Sequence, residues 1–266
     1  MEIPLWLSII ILGIIEGITE FLPVSSTGHL LVAQRWLPRQ SDLFNIVIQS
    51  GAVIAVIPLF RERVVKMLRW RDPEARDYAI KIVVAFAITG VLGLALDRLG
   101  FTLPEEILPV AIALLVGGIA FILIERSGKL TGQATEITWL VVLAVGIGQI
   151  IAAIFPGTSR SGSTIILLLL LGMARPAATE FSFLVGIPTM LAAGGLKIFK
   201  ELRAAPGDGP GEDWGMLALG FLVSAIVSFL AVKWLLGYIQ RNTFEAFGWY
   251  RVALALFIFA LLYFGT

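Results

Sequence analysis

Two acids, two serines and a histidine stand within fourteen residues near the start of the chain, from Glu16 and Glu20 through Ser25 and Ser26 to His29. The four-residue spacing of Glu16 and Glu20 stacks their carboxylates on one face of a helix, where mutual repulsion is relieved by a shared cation or proton. Hard oxygen ligands of this kind suit a divalent cation, Mg²⁺ or Ca²⁺, and Mg²⁺ typically takes only one or two protein carboxylates together with phosphate oxygens. The alternative is that one acid bonds buried backbone or an arginine. Pro23 ends a first helical arm, and Ser25, Ser26, Thr27 and Gly28 offer hydroxyls and free backbone N–H groups at the start of a second, a combination that attracts anions. His29, the single histidine of the chain, follows Ser26 by three residues and is a candidate for proton transfer.

A second polar cluster runs from Pro156 to Thr164 and carries Arg160. An arginine cannot shed its charge, and its planar fork matches phosphate oxygens. Around it, Gly157, Thr158, Ser159, Ser161 and Thr164 build a small, hydroxyl-rich helix start whose N–H groups can approach the same anion. The competing assignment for Arg160 is a salt bridge to Glu16 or Glu20. Together the clusters describe a site for metal-complexed phosphate. A lipid pyrophosphate suits it, because the headgroup needs polar partners while the tail stays in lipid.

Both clusters interrupt apolar stretches. Of 266 residues, 58% are apolar and 15% charged, against about 25% charged in soluble domains, and about twenty apolar residues suffice to cross a bilayer as helix. Clean spans read at 43–60, 79–97, 106–124, 180–199, 215–236 and 247–265. The stretches 3–22 and 137–155 instead run into the polar clusters and resume as short apolar pieces at 29–37 and 164–173. An acid at membrane depth is costly unless paired or neutralised, which makes Glu16 and Glu20 functional candidates by location alone. The first stretch lacks the basic start of a cleavable signal and is expected to be retained. A net charge of +1 gives no reason to expect nucleic acid as a partner, and zero cysteines remove disulfides and thiol chemistry.

At an offset of 133 residues, seven identities fall within positions 6–26, among them Trp6/Trp139, Pro23/Pro156 and Ser26/Ser159. The expected fold is therefore all-α and polytopic, a single membrane domain over 1–266. It has six transmembrane helices and two re-entrant helical hairpins, arranged as repeats of about 1–133 and 134–266. Three full spans per half make the repeats inverted, as in transporters whose interrupted helices meet near the midplane. With the amino terminus outside, thirteen basic residues fall on the cytoplasmic side, seven of them between Arg61 and Lys81, with Arg126, Lys129, Arg175, Lys233, Arg241 and Arg251. Six fall outside, which fits the preference of Lys and Arg for cytoplasmic loops. The segment 61–77 reads as an amphipathic helix on the inner surface, and 204–213 as a flexible external loop.

At these residues the chain resembles the undecaprenyl pyrophosphate phosphatase family, also called bacitracin-resistance proteins, essentially end to end. Glu16 and Glu20, running into Phe21-Leu22-Pro23-Val24-Ser25-Ser26-Thr27-Gly28-His29-Leu30, correspond to its first signature. Pro156 through Thr164, with Ser159-Arg160-Ser161 at the centre, corresponds to the second. The resemblance implies hydrolysis of undecaprenyl pyrophosphate, recycling of the cell-wall lipid carrier, dependence on a divalent cation, a bacterial plasma membrane location, and an active site open to the periplasm or cell exterior. It assigns Glu16 and Glu20 to metal or water positioning, Arg160 to the phosphates, and Ser26 with His29 to the chemical step. Ser26 attacking with His29 as base, and water attacking directly, both remain open at this point. A flippase or transporter is the rival function, and a homodimer is open.

Overall fold

The computed structural model describes residues 3–99, 106–127, 132–203 and 213–265. The described residues form helices and no strand, apart from an isolated bridge between Ala134 and Met173. In chain order the helices are α1 (Leu5–Thr19), α2 (Ser26–Ala33), α3 (Asp42–Val56), α4 (Arg61–Met67), α5 (Pro73–Arg98) and α6 (Ile107–Arg126). They continue with α7 (Trp139–Ile154), α8 (Arg160–Leu170), α9 (Arg175–Arg203), α10 (Trp214–Tyr238) and α11 (Glu245–Phe264). Six segments are long and apolar enough to cross a membrane: Asp42–Met67, Pro73–Leu96, Ile107–Arg126, Arg175–Lys200, Trp214–Tyr238 and Glu245–Phe264. Each coincides with an expected span and runs past it at one end or both, because charged and capping residues extend the helix beyond its apolar stretch. Helices α1, α7 and α8 are apolar but shorter.

The segment 61–77 is not one surface helix. A 3₁₀ turn at Ile57–Phe60 joins α3 to α4, so Arg61–Met67 prolongs the span. The chain then turns, and Pro73 opens α5, where its missing N–H costs nothing. Asp72 accepts from the N–H groups of Glu74 and Ala75 at 3.0 and 3.4 Å, capping that start. The loop expected at 204–213 lies, except for Asp213, outside the described residues, as does Lys129.

Helix pairs in the bundle pack in a pattern that survives exchange of the two halves of the chain. Helix α1 packs on α10 as α7 packs on α5; α3 packs on α10 as α9 packs on α5; α6 packs on α11 and α3 on α9. Without water to drive apolar surfaces together, helices in lipid associate through close packing of small residues. Helix α1 meets α10 in this way, since a Cβ added at Gly17 would lie 2.7 Å from the Ser224 carbonyl and 3.0 Å from the Ser228 nitrogen. Buried Phe21, Phe121, Phe181, Phe183 and Phe244 contribute to the principal core, while Val83, Val91, Leu123, Ile226 and Leu230 face outward. That outward greasiness is what a lipid-facing surface requires.

Gly17→Leu should therefore drive α1 off α10 and lower stability by about 1–3 kcal/mol or more, the usual cost of overpacking. Gly90→Ala, where an added Cβ meets nothing within 4 Å, should be neutral or slightly stabilising. Thermal unfolding of the two variants in the same detergent distinguishes them, and equal melting temperatures would contradict the packing.

Candidate active site

The two interrupted segments break in the same way. Helix α1 ends at Thr19 and α2 begins at Ser26, capped by Ser25; α7 ends at Ile154 and α8 begins at Arg160, capped by Ser159. Each capping serine accepts from the N–H three residues on, Gly28 at 3.3 Å and Gly162 at 3.1 Å. Each also has a positive φ, 72° at Ser25 and 69° at Ser159, the only such non-glycine residues described. A side-chain-bearing residue in that conformation costs about 1–3 kcal/mol and persists where its surroundings enforce it. The caps pair Ser25 with Ser159, one residue out of step with the Ser26/Ser159 match at constant offset. The extra residue in the second turn is Gly157, whose φ of 93° and close approach to the Val110 carbonyl, 2.6 Å from an added Cβ, exclude any side chain. Structurally, the partner of Ser26 is Arg160.

The two turns meet at a cavity of about 240 Å³. Glu20, Ser25, Ser26 and Thr27 line it from the first segment; Gly157, Ser159 and Arg160 line it from the second. Gln49, Thr89, Gln149, Ala152, Ala153, Thr189 and Met190 complete the wall. The helix starts of α2 and α8, with their free first-turn N–H groups and positive dipole ends, are therefore brought to one space.

Glu20 is the hub of the side-chain contacts. Its Oε2 accepts the Ser26 hydroxyl at 2.7 Å and Gln49 Nε2 at 3.4 Å, and its Oε1 faces Arg160 Nη2 at 3.5 Å. The Arg160 side chain is 13% exposed and the Glu20 side chain 4%. Arg160 Nε and Nη1 are buried without a partner, although the guanidinium sits over the Phe21 ring at 5.4 Å. An added Cβ at Gly186 would lie 1.7 Å from Arg160 Nη1, so α9 keeps a notch for this side chain. Glu16 is 1% exposed, does not line the cavity, and has an unpartnered Oε2.

Several expected site residues serve other purposes in the structure. Ser161 bonds the Leu22 carbonyl at 3.3 Å, tying one turn to the other. Thr164 bonds the Arg160 carbonyl at 2.9 Å and the Ser182 hydroxyl, while Thr158 presents its carbonyl to Arg251 at 2.9 Å. None of the three reaches the cavity wall. His29 does not meet Ser26. Its Nδ1 lies 2.7 Å from the Ser25 carbonyl and its Nε2 2.6 Å from the Tyr250 hydroxyl, with the two rings stacked 5.5 Å apart. A carbonyl only accepts, so neutral His29 carries its proton on Nδ1 and receives the Tyr250 proton at Nε2. The imidazole thus braces the strained Ser25 turn, and Glu20 is the group placed to take the Ser26 proton.

Sequence reading missed Gln49, Thr89, Thr189, Tyr250 and Arg251. Polar residues inside apolar spans are the signal that could have raised the first three. Arg251, expected on the cytoplasmic side, is 0% exposed within α11, which reduces the basic bias to twelve against six. A more open depression of about 400 Å³ lies between Pro58 and Glu180, but there Arg63 is engaged by Glu180 at 2.6 Å.

Because the chain has one histidine, ¹⁵N-histidine labelling yields a single imidazole. Its neutral form should show a protonated Nδ1 and a bare Nε2, and Tyr250→Phe should move the Nε2 resonance while leaving Nδ1 protonated. The opposite tautomer would remove the bracing role.

The family model described as "Bacitracin resistance protein BacA" matches residues 9–257. The chain is 53% identical over 253 residues to the undecaprenyl-diphosphatase of Rhizobium etli (strain CIAT 652), covering 94% of this chain and 95% of the relative. It is 49% identical over 249 residues to that of Xylella fastidiosa (strain 9a5c), covering 93% and 95%. With that of Xanthomonas axonopodis pv. citri (strain 306) the identity is 48% over 251 residues, covering 93% and 94%. Given an all-helical bundle with six membrane-length helices and matches that take in both polar turns, the chain belongs to the bacitracin resistance protein family.

Proposed function

We infer that this chain is an undecaprenyl-diphosphatase, a membrane hydrolase that converts undecaprenyl pyrophosphate to undecaprenyl phosphate and inorganic phosphate and so recycles the lipid carrier of cell-wall synthesis. The names of its relatives support the reaction. One observation carries the site: a buried guanidinium, Arg160, with two unpartnered donors beside a Ser26–Glu20 pair and two helix starts. Such a cation needs an anion, and a diphosphate headgroup supplies one. A simple carrier would have no use for a serine held against a carboxylate.

In the reaction, Arg160 and the free N–H groups at the starts of α2 and α8 hold the phosphate charge that spreads as the bond breaks. Ser26 Oγ attacks the terminal phosphorus and its proton passes to Glu20. The bond from that phosphorus to the bridging oxygen breaks, and undecaprenyl phosphate leaves. Water then attacks the phosphoserine, phosphate is released, and Ser26 regains a proton. No cluster of three or more acidic or histidine side chains able to hold a metal occurs among the described residues, so a resident ion would depend on few protein ligands. In this reading Glu16 and Glu20 would be those ligands, the unpartnered, buried Oε2 of Glu16 offering a hard oxygen to Mg²⁺ or Ca²⁺. Such an ion would supply neutralising charge to the diphosphate when bound.

The interrupted segments are read as re-entrant hairpins of an inverted repeat, about 1–133 and 134–266, which the exchangeable packing pairs support. The remaining bias of basic residues favours a cavity opening to the periplasm or cell exterior, in a multi-pass protein of the bacterial plasma membrane. The long apolar tail would then stay among membrane lipids while the headgroup enters.

Purified protein in detergent, given a polyprenyl pyrophosphate with Mg²⁺ or Ca²⁺, should release phosphate, and a chelator should stop it. Ser26→Ala, Glu20→Gln and Arg160→Lys should each lower kcat by about 10²–10³-fold or more, the scale of losing one preorganised electrostatic partner. Lysine cannot replace the planar fork. No release with either metal would overturn the activity, and turnover near wild type in Ser26→Ala would replace the serine nucleophile with water.

A further inference from the structure

Arg251 is fully buried in α11, and among the described residues no carboxylate faces it. A guanidinium has five N–H donors, and all five go to main-chain carbonyls. Nε donates to Leu114 at 3.3 Å; Nη1 donates to Pro23 at 3.2 Å and Thr158 at 2.9 Å; Nη2 donates to Ala113 at 3.1 Å and Gly157 at 3.2 Å. Three elements are joined by one side chain: the first turn, the second turn and the middle of α6. The surroundings are shaped to admit it. An added Cβ would lie 2.2 Å from Nη2 at Gly117 and 2.9 Å from Nη1 at Gly162.

Three of the carbonyls it collects lie just ahead of the two strained caps. Pro23 lies two residues before Ser25, and Gly157 and Thr158 directly precede Ser159. In a planar trans peptide the N–H points opposite to the C=O. Drawing the Thr158 carbonyl onto Arg251 therefore turns the Ser159 N–H the other way, and Ser159 is a cavity residue. A residue in a sparsely populated conformation stays there only if its neighbours over-determine it, and the same fork holds carbonyls just ahead of both capping serines.

We propose that Arg251 is a positioning residue for the phosphate site, clamping both turns to α6 so that Ser26, Arg160 and the helix-start N–H groups face one another. This rests on the reading above that the turns cradle the phosphates. The residue does not touch substrate. Its contribution is the planar geometry of the fork as well as its charge, so lysine, which keeps the charge but offers three donors from one atom, does not substitute for it.

The test uses the full chain in detergent, with kcat and KM from phosphate release and amide hydrogen exchange read over 22–28 and 156–162. Arg251→Lys should remain folded, lose about 100-fold or more in kcat with most of the loss in kcat rather than KM, and exchange faster at both turns together. Arg175→Lys, at a partly buried ion pair with Glu125 outside the cavity, controls for general loosening and should keep kcat within about threefold. A loss under about tenfold in Arg251→Lys, a loss without faster exchange at both turns, or an equal loss in Arg175→Lys would overturn the clamp. Should Arg251→Lys fail to fold, Gly117→Ala keeps the charge and displaces Nη2; it should show the same paired signature, and normal turnover or unchanged exchange would overturn the proposal. A wild type that releases no phosphate would sink the activity, while the exchange at the two turns still reports on the clamp.

Discussion

A helix that stops within a membrane-spanning bundle leaves peptide groups with no water to satisfy them, and every one left over costs several kcal/mol. Two segments of this chain stop in that way, and most of the rest of the site can be derived from how the loose ends are resolved. Carbonyls are paired with protein: those of Pro23, Gly157 and Thr158 with Arg251, that of Leu22 with Ser161, that of Ser25 with His29. The first amides of α2 and α8 are not paired within their helices, as at any helix start. Protein side chains take up these acceptors and, through Ser25 and Ser159, one donor in each helix start, and the first-turn donors left over would suit an anion.

The charges follow the same division. Arg251 spends its donors on dipoles, and its positive charge remains. Arg160 spends one nitrogen on Glu20 at 3.5 Å and keeps Nε and Nη1 unspent. Glu20 in turn is shared among Ser26, Gln49 and Arg160. A buried pair with such long, partial contacts is poorly compensated by itself, which is tolerable in a site whose ligand brings the missing partners. Glu16 likewise keeps a buried Oε2 without a protein donor.

What could be read in the sequence depended on whether the signal was local. Spans of twenty apolar residues announce themselves, and all six appeared. The two polar clusters were legible because serines, glycines and prolines punctuate helices in a known way, and Glu20, Ser26 and Arg160 do meet. Long-range pairings were not legible. His29 finds Tyr250, and Arg251 finds Pro23, across more than two hundred residues, and no spacing rule links them. Arg251 also sits at the edge of an apolar run, where a basic residue normally reaches the cytoplasmic surface; only the convergence of five carbonyls explains its burial. Ser161 and Thr164 have the right chemistry for phosphate but point into the bundle, where hydroxyls are equally needed to tie backbone together.

The one-residue slip between the two turns carries the deepest consequence. At constant offset, serine matches serine and the halves look like two copies of one anion-binding motif. Aligned by their caps, Ser26 stands where Arg160 stands, each the first residue of a helix entered through a serine with φ near 70°. That position points its side chain into the space shared with the other half. One copy presents a hydroxyl held by a carboxylate, the other a guanidinium, and the inserted Gly157 lets the second turn approach α6 closely enough for Arg251 to hold both. Complementarity across the cavity thus comes from one structural position occupied twice by different chemistry, which two identical copies of the turn could not provide.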